Sequence, residues 1–290
     1  MPTFLERSAA LPHLGLGIST EYGARRSPGA LDPRALRREH PGLGGFLEVG
    51  VEIERGLDAD ARAWVADGGP TTYHFLDVNL DEPEDLDPGW LAAVRGTVDE
   101  LRPAWLCGDA GLWHFGTRDR GQMLLLPPVL VPESVAPMAA GLVALRQATG
   151  HEVLPENPPG AFFVGPMHVL ELFAAVAEAA DTGLLLDCAH LAMFQRSRGL
   201  AFDAGFDALP WERVIELHVA GGSERAIEGL PVVDDDHGIE VLPDTWAIFE
   251  GALARAGNLR AVVVECERNP LPDVLPLFRR VASAWGVDAR

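Results

Sequence analysis

Eight short apolar runs alternate with segments of helical periodicity along the whole chain, and that alternation leaves few architectures open. The runs predicted as strands are Leu14–Ser19, Phe46–Glu52, Thr71–Leu80, Ala104–Gly111, Glu152–Asn157, Gly183–His190, Val214–Gly221 and Ala261–Glu267. Between and after them, helices are predicted over 33–39, 58–66, 89–101, 132–149, 166–180, 190–197, 243–256 and 271–285. Leu91, Val94, Val98 and Leu101 illustrate the spacing, which puts one apolar stripe along a helix. Runs such as Gly183-Leu-Leu-Leu-Asp187 and Ala261-Val-Val-Val-Glu265 are apolar at every position before their last. Strands of that kind are buried on both faces, as in a parallel sheet covered by helices. Eight strand–helix units predict an α/β chain closed as a (β/α)8 TIM barrel. An open doubly wound sheet competes, but no G-x-G-x-x-G follows the first run. The 290 residues suit one such domain over 1–290, with no repeat or linker. Stretches 114–130 and 222–241 carry few regular signals and read as long loops over the active-site face.

Charge narrows the partners. The formal net charge is −20, and no basic stripe stands out, so nucleic acid is not an expected partner. All 23 basic residues are arginine, so Schiff-base and lysine-nucleophile chemistry are unavailable. No apolar run is long enough to span a bilayer: the best, 169–180, is interrupted by Glu171 and Glu178. The first residues lack the basic-then-apolar pattern of a secretory signal. Three dispersed cysteines, Cys107, Cys188 and Cys266, form no disulfide framework and point to a reducing cytoplasm.

The chemistry gathers where the predicted strands end. The fifth ends in Glu156-Asn157, the sixth in Asp187-Cys-Ala-His190, the seventh in His218 and the eighth in Glu265; the third carries His74, and the loop after the seventh holds Asp235-Asp-His237. Carboxylates and imidazoles delivered to one rim of a barrel, with no lysine to balance them, call for divalent cations. Taken singly, each residue has a plainer explanation: a helix cap for Asp187, a solvated turn for Asp234–Asp236. The mixture of donors suits zinc, iron or manganese better than magnesium.

These residues also resemble a known family. His74, Glu156, Asp187-x-x-His190, His218, Asp235-x-His237 and Glu265 resemble the ligand set of xylose-isomerase-like TIM barrels. The phrases Leu14-Gly-Leu-Gly, Phe46-Leu-Glu-Val, Leu125-Leu-Pro-Pro, Glu156-Asn-Pro, Leu185-Leu-Asp, His218-Val-Ala-Gly and Asp235-Asp-His-Gly are similar to those of the multinuclear non-haem iron-dependent oxidative enzymes of the methanobactin biosynthesis oxidase type. The resemblance implies two or three iron ions, with zinc or manganese as other occupants. A first position would use His74 and Glu156. A second would share Glu156 and add Asp187, His218 and Glu265, and these four would be the catalytic residues. A third would use His190, Asp235 and His237. It further implies oxygen-dependent modification of a ribosomally made precursor peptide, at cysteine, with a peptide-binding partner protein assisting. Zinc- or manganese-dependent phosphoester hydrolysis and sugar isomerisation or epimerisation are the alternatives on the same barrel.

The chain departs from that pattern twice. Gly108-Asp109-Ala110 stands where the fourth strand of the iron enzymes has Ser-Glu-His, and Gly222 stands for the last histidine of His-Leu-Ala-Gly-His. Either Asp109 or His114 completes the first position, or the centre is dinuclear. Asp109, Trp113, His114 and Arg118, with Arg120, are expected to overhang the rim and meet substrate.

Overall fold

The computed structural model describes residues 2–20, 29–116, 118, 124–227 and 230–286. Nine strands are described: β1 (Gly15–Thr20), β2 (Phe46–Val51), β3 (Thr71–Phe75), β4 (Leu106–Asp109), β5 (Val153–Glu156), β6 (Leu184–Asp187), β7 (Val214–Ile227), β8 (Leu230–Gly238) and β9 (Ala261–Glu265). The helices are α1 (Phe4–Ser8), α2 (Pro33–Glu39), α3 (Ala59–Ala66), α4 (Pro88–Leu101), α5 (Val135–Thr149), α6 (Val169–Ala180), α7 (Cys188–Arg198), α8 (Pro243–Leu253) and α9 (Leu271–Trp285). Strands β1 to β6 pair in sequence and in parallel. Strand β6 then pairs with β7, β7 with β9, and β9 with β1, so the eight-stranded barrel is closed.

Side-chain alternation sorts the residues of each strand between two cores. Outward residues such as Val49, Leu106 and Val264 pack under the helix ring. Inward residues Phe46, Cys107, Leu154, Leu185 and Val263 form a smaller cluster in the barrel interior, into which Phe4 of α1 packs. Two residues further along each strand, on the same inward face, the chemistry changes. Phe46 is followed by Glu48, Cys107 by Asp109, Leu154 by Glu156, Leu185 by Asp187 and Val263 by Glu265. All five acids are buried. The apolar interior therefore fills the N-terminal end of the barrel and hands over to carboxylates at its C-terminal mouth.

Helix starts follow local capping. The Asp32 side chain accepts from the Arg34 and Ala35 N–H groups, Asp58 from Ala61 N–H, and Asp87 from Gly89 and Trp90 N–H. Asp187 does the same for α7, accepting from His190 N–H at 2.6 Å. That cap ends β6 at Asp187 and moves His190, expected on the strand, into the first turn of a helix. The stretch 222–241, expected as an irregular loop, is instead largely a β-ribbon. Strand β7 runs past the barrel rim and pairs antiparallel with β8 from Ser223↔Asp234 to Ile227↔Leu230, with a register shift between Gly221 and Ser223. Residues 228 and 229 lie outside the described residues. Three successive aspartates have poor strand propensity, and pairing with β7 overrides it.

Two glycines give opposite expectations. A Cβ on Gly141 of α5 would lie 1.9 Å from the Leu80 carbonyl oxygen, whereas one on Gly96 of α4 meets nothing within 4 Å. Gly141→Ala should cost about 1–3 kcal/mol through overpacking. Gly96→Ala should add about 0.4–1 kcal/mol by restricting the unfolded chain. Thermal unfolding midpoints that shift in opposite directions check both.

Candidate metal centre

Neighbouring strands bring the ligands together in register. Asp109 of β4 lies opposite Glu156 of β5, and Asp187 of β6 lies opposite His218 of β7. Four triads result whose candidate ligand atoms all fall within 4.8 Å of one another: His74–Asp109–Glu156, Glu156–Asp187–His190, Asp187–His218–Glu265 and Glu48–Glu216–His218. His218 Nδ1 lies 3.2 Å from Glu156 Oε1, 3.4 Å from Glu265 Oε1 and 4.0 Å from Asp187 Oδ2. Glu156, Asp187, His218 and Glu265 thus face a common point, as expected for the second position. Glu156 also bonds His74, Oε2 to Nε2 at 2.8 Å. It is the one carboxylate shared between the first two positions.

His190, Asp235 and His237, expected as the third position, lie between α7 and the ribbon. His190 Nε2 lies 3.2 Å from Asp235 Oδ2, and His237 Nε2 lies 3.5 Å from the same oxygen. Each ring is held from behind. His190 Nδ1 is 2.9 Å from the Asn157 carbonyl, which can only accept, so Nδ1 carries the proton and Nε2 is left as a ligand. His237 Nδ1 is 2.7 Å from Glu267 Oε1, whose other oxygen accepts from Ser19 Oγ at 3.0 Å. His237 has φ +50°, a left-handed backbone that costs energy for a histidine and is held by the bond from Asn269 Nδ2 to its carbonyl.

The residues fit cations on several counts. Buried atoms without a hydrogen-bond partner include Asp109 Oδ1, Glu156 Oε1, Asp187 Oδ2, Asp235 Oδ1, Glu265 Oε2 and His218 Nδ1, and all of them belong to the ring of candidate ligands. Leaving such atoms unsatisfied is expensive. Charge is out of balance as well. Burial, reinforced by Glu156, pushes the Asp109 carboxyl well above its ordinary range. Burial, with Glu265 and Glu156, raises Asp187 to about 7 against the pull of His190. Burial would lower the His74 pKa, but Glu156 and Glu48 outweigh it and raise it to about 9. Protons are being drawn in to neutralise the negative charge, the role that divalent cations fill without protonating the ligands.

Among the residues expected to meet substrate, two belong to the cavity and two do not. Asp109 joins the ring, with Oδ2 3.9 Å from His74 Nε2 and Oδ1 3.7 Å from His190 Nδ1. Trp113 lines the wall of the cavity of about 120 Å3 that holds the ligands. His114 is turned away from the ring: its Nε2 is 2.8 Å from Asp85 Oδ2 and its Nδ1 3.0 Å from the Gly116 carbonyl. Arg118 donates to the Asp85 carbonyl and stacks over Trp90, 4.8 Å from the ring centre. Both are corrections to the expected rim contacts, and their cause is Asp85, a distant acid that binds them instead. Arg120 lies outside the described residues. Sequence reading missed Glu48 and Glu267, and noted Glu216 beside His218 without giving it a role. The signal was present, because Glu216 sits two residues before His218 and Glu267 two after Glu265, on the same strand faces.

Metal content separates the two groups. His237→Ala should lose one metal ion per chain and Asp109→Ala should weaken the first position. His114→Ala should leave the content unchanged. Elemental analysis of the three variants beside the wild type reads this directly.

Comparison with known proteins agrees with the fold. Curated relatives include UPF0276 proteins of Rhizorhabdus wittichii, 27% identical over 82% of this chain and 87% of the relative, and of Chromobacterium violaceum, 29% identical over 84% and 87%. Among solved structures, a xylose isomerase domain protein from Planctomyces limnophilus aligns with TM-score 0.58 at 12% identity, over 95% of this chain and 98% of that one. A Thermus thermophilus protein, from a crystal soaked with zinc chloride, aligns with TM-score 0.53 at 21% identity, over 92% and 98%. The likeness to both is one of fold: each aligns with the barrel over nearly its whole length. The family model for the RiPP precursor modification enzymes MbnB/TglH/ChrH matches residues 34–286, which is most of the barrel and every candidate ligand, and the chain belongs to that family.

Proposed function

We propose that the chain is an iron-dependent oxidative enzyme that modifies a ribosomally made precursor peptide, at cysteine, with dioxygen as the oxidant. The observation that carries this reading is the position of Glu156. It stands between His74 and Asp109 on one side and Asp187 and His218 on the other, where a carboxylate could serve two ions. Bound there, iron would supply the one-electron redox chemistry that side chains alone lack. First-position residues His74, Asp109 and Glu156 would hold one ion. Asp187, His218 and Glu265 would hold the second with Glu156, and His190, Asp235 and His237 the third. Iron is the favoured occupant because of family membership and the imidazole–carboxylate donor set. The zinc-soaked neighbour shows only that a related barrel was exposed to that metal.

The protein's own part is to present the peptide and exclude water. Leu76, Trp113 and Leu125 line the ligand cavity with apolar surface, which lowers the local dielectric around a bound thiolate. A much larger groove, about 960 Å3, lies between the ribbon and the end of α7. Met193 and Val233 line it, one helical turn beyond His190 and two residues before Asp235. Phe162, 71% exposed, and Leu200 add apolar surface. The groove is where residues flanking the reactive cysteine would lie, with the partner protein holding a more distant part of the peptide.

Two experiments test this. Protein purified without oxygen, reconstituted with ferrous iron and given oxygen and a cysteine-containing peptide encoded beside it, should change the peptide's mass. Glu156→Gln should abolish that change while the barrel still folds. Full turnover with zinc alone would overturn the reading, because zinc has no redox chemistry and leaves only hydrolysis or isomerisation. Phe162→Ser should raise KM for the peptide several-fold with metal content unchanged.

A further inference from the structure

One buried group near the centre has no place among the three positions. Glu48 sits on the inward face of β2, 1% exposed, and its Oε1 lies 3.2 Å from Nε2 of His218. Its other oxygen is anchored twice, by Cys107 Sγ at 3.1 Å and Thr72 Oγ1 at 3.3 Å. The carboxylate is fixed in orientation before any metal is considered.

His218 is completely buried, and neither of its ring nitrogens has an aligned hydrogen-bond partner. Nδ1 faces Glu156, Asp187 and Glu265; Nε2 faces Glu48 alone among the close acids. A neutral imidazole offers one donor and one acceptor. One arrangement satisfies both atoms: a cation on Nδ1 and a proton on Nε2 shared with Glu48.

We propose that Glu48 is a positioning residue for the metal centre, accepting a hydrogen bond from His218 Nε2–H and thereby fixing Nδ1 as the ligand. The inference rests on the metal reading above but not on the identity of the metal. It gives His218 the same kind of support that Glu267 gives His237. Partners of this kind behind a ligand histidine are worth ten- to a hundredfold in metal affinity. Glu216 is the rival candidate. Its Oε1 is also unpartnered and it completes the Glu48–Glu216–His218 triad. A cation seated in that triad would need Nε2 unprotonated, making His218 an imidazolate between two metals. A proton on Nε2 demands nothing so unusual. Glu216 is instead tied by Trp105 Nε1, 2.6 Å from its Oε2.

Cobalt(II) is the probe, since its visible spectrum reports ligand geometry and it needs no turnover. Glu48→Gln should weaken cobalt binding at least tenfold and alter the spectrum, with Glu48→Asp recovering part of the affinity. Glu216→Gln should change the number of bound ions not at all. Long-range 1H–15N spectra of zinc-loaded wild type should place the His218 proton on Nε2, a measurement independent of whether any variant folds. A proton on Nδ1, or Glu48→Gln binding cobalt as tightly as wild type with the same spectrum, would sink the inference while leaving the metal centre standing. Loss of a whole ion from Glu216→Gln would overturn it in favour of the inner cation. A wild-type chain that binds no divalent metal would remove the centre itself, and the inference with it.

Discussion

Carboxylates buried together at the mouth of a closed barrel set the terms for everything around them. Glu48, Asp109, Glu156, Asp187, Glu265 and Glu267 are each less than a tenth exposed, and the same mouth holds four histidines. In a medium of low dielectric such a group must be neutralised or pay several kcal/mol for each bare charge. Hydrogen bonds absorb part of the excess, as at Glu267 and Glu48, but carboxylate oxygens of Asp109, Glu156, Asp187, Asp235 and Glu265 remain without a partner. The fold can hold this arrangement because it is stabilised elsewhere. Two apolar cores, one inside the strands and one under the helices, hold the rim in place.

Orientation follows from the same constraint. A histidine ligand must show one nitrogen to the metal and hide the other, and three of the four do so by different means. His190 is fixed by a backbone carbonyl, His237 by a carboxylate, and His218 faces a carboxylate from below. The carbonyl that holds His190 belongs to Asn157, whose side chain also bridges to Asp187, accepting from its N–H and donating to its carbonyl, both at 3.0 Å. One residue therefore couples β5, the start of α7 and the third position. A centre built this way is pre-organised, which is what ligand exchange with a substrate requires of the groups that stay behind.

Most of the barrel was legible because its strands are short, apolar and punctuated, and because ligands fall at their C-terminal ends. Pro33–Glu39 and Leu271–Trp285 match the predicted helices to the residue. The failures have physical causes. Glu48 in Phe-Leu-Glu-Val looks like an ordinary outward polar residue unless the inward phase of β2 is known, and that phase is set by Phe46 packing inside the barrel. The ribbon was obscured by Asp234–Asp236, where local propensity argues against a strand and only pairing with β7 supplies one. His114 looked like a ligand because it is near Asp109 in sequence. Its partner Asp85 is 29 residues away, a contact that no local pattern reports.

The two departures from the resembling enzymes have structural consequences of their own. Ala110, 1% exposed, belongs to the outer apolar core, so a larger polar side chain there would displace packing beneath the helices. One residue earlier, Asp109 puts a carboxylate between His74 and His190 on the inner face. A cation held there would meet more oxygen and more negative charge than an imidazole would supply, which would suit a harder ion. At Gly222 a Cβ would come within 2.9 Å of Val233 Cγ1 and 3.0 Å of the Asp234 carbonyl. Any side chain there would push β8 away from β7, and β8 carries Asp235 and His237. The glycine gives up a donor at the end of the β7 phrase and lets the ribbon close onto α7, where Asp235 and His237 come to His190.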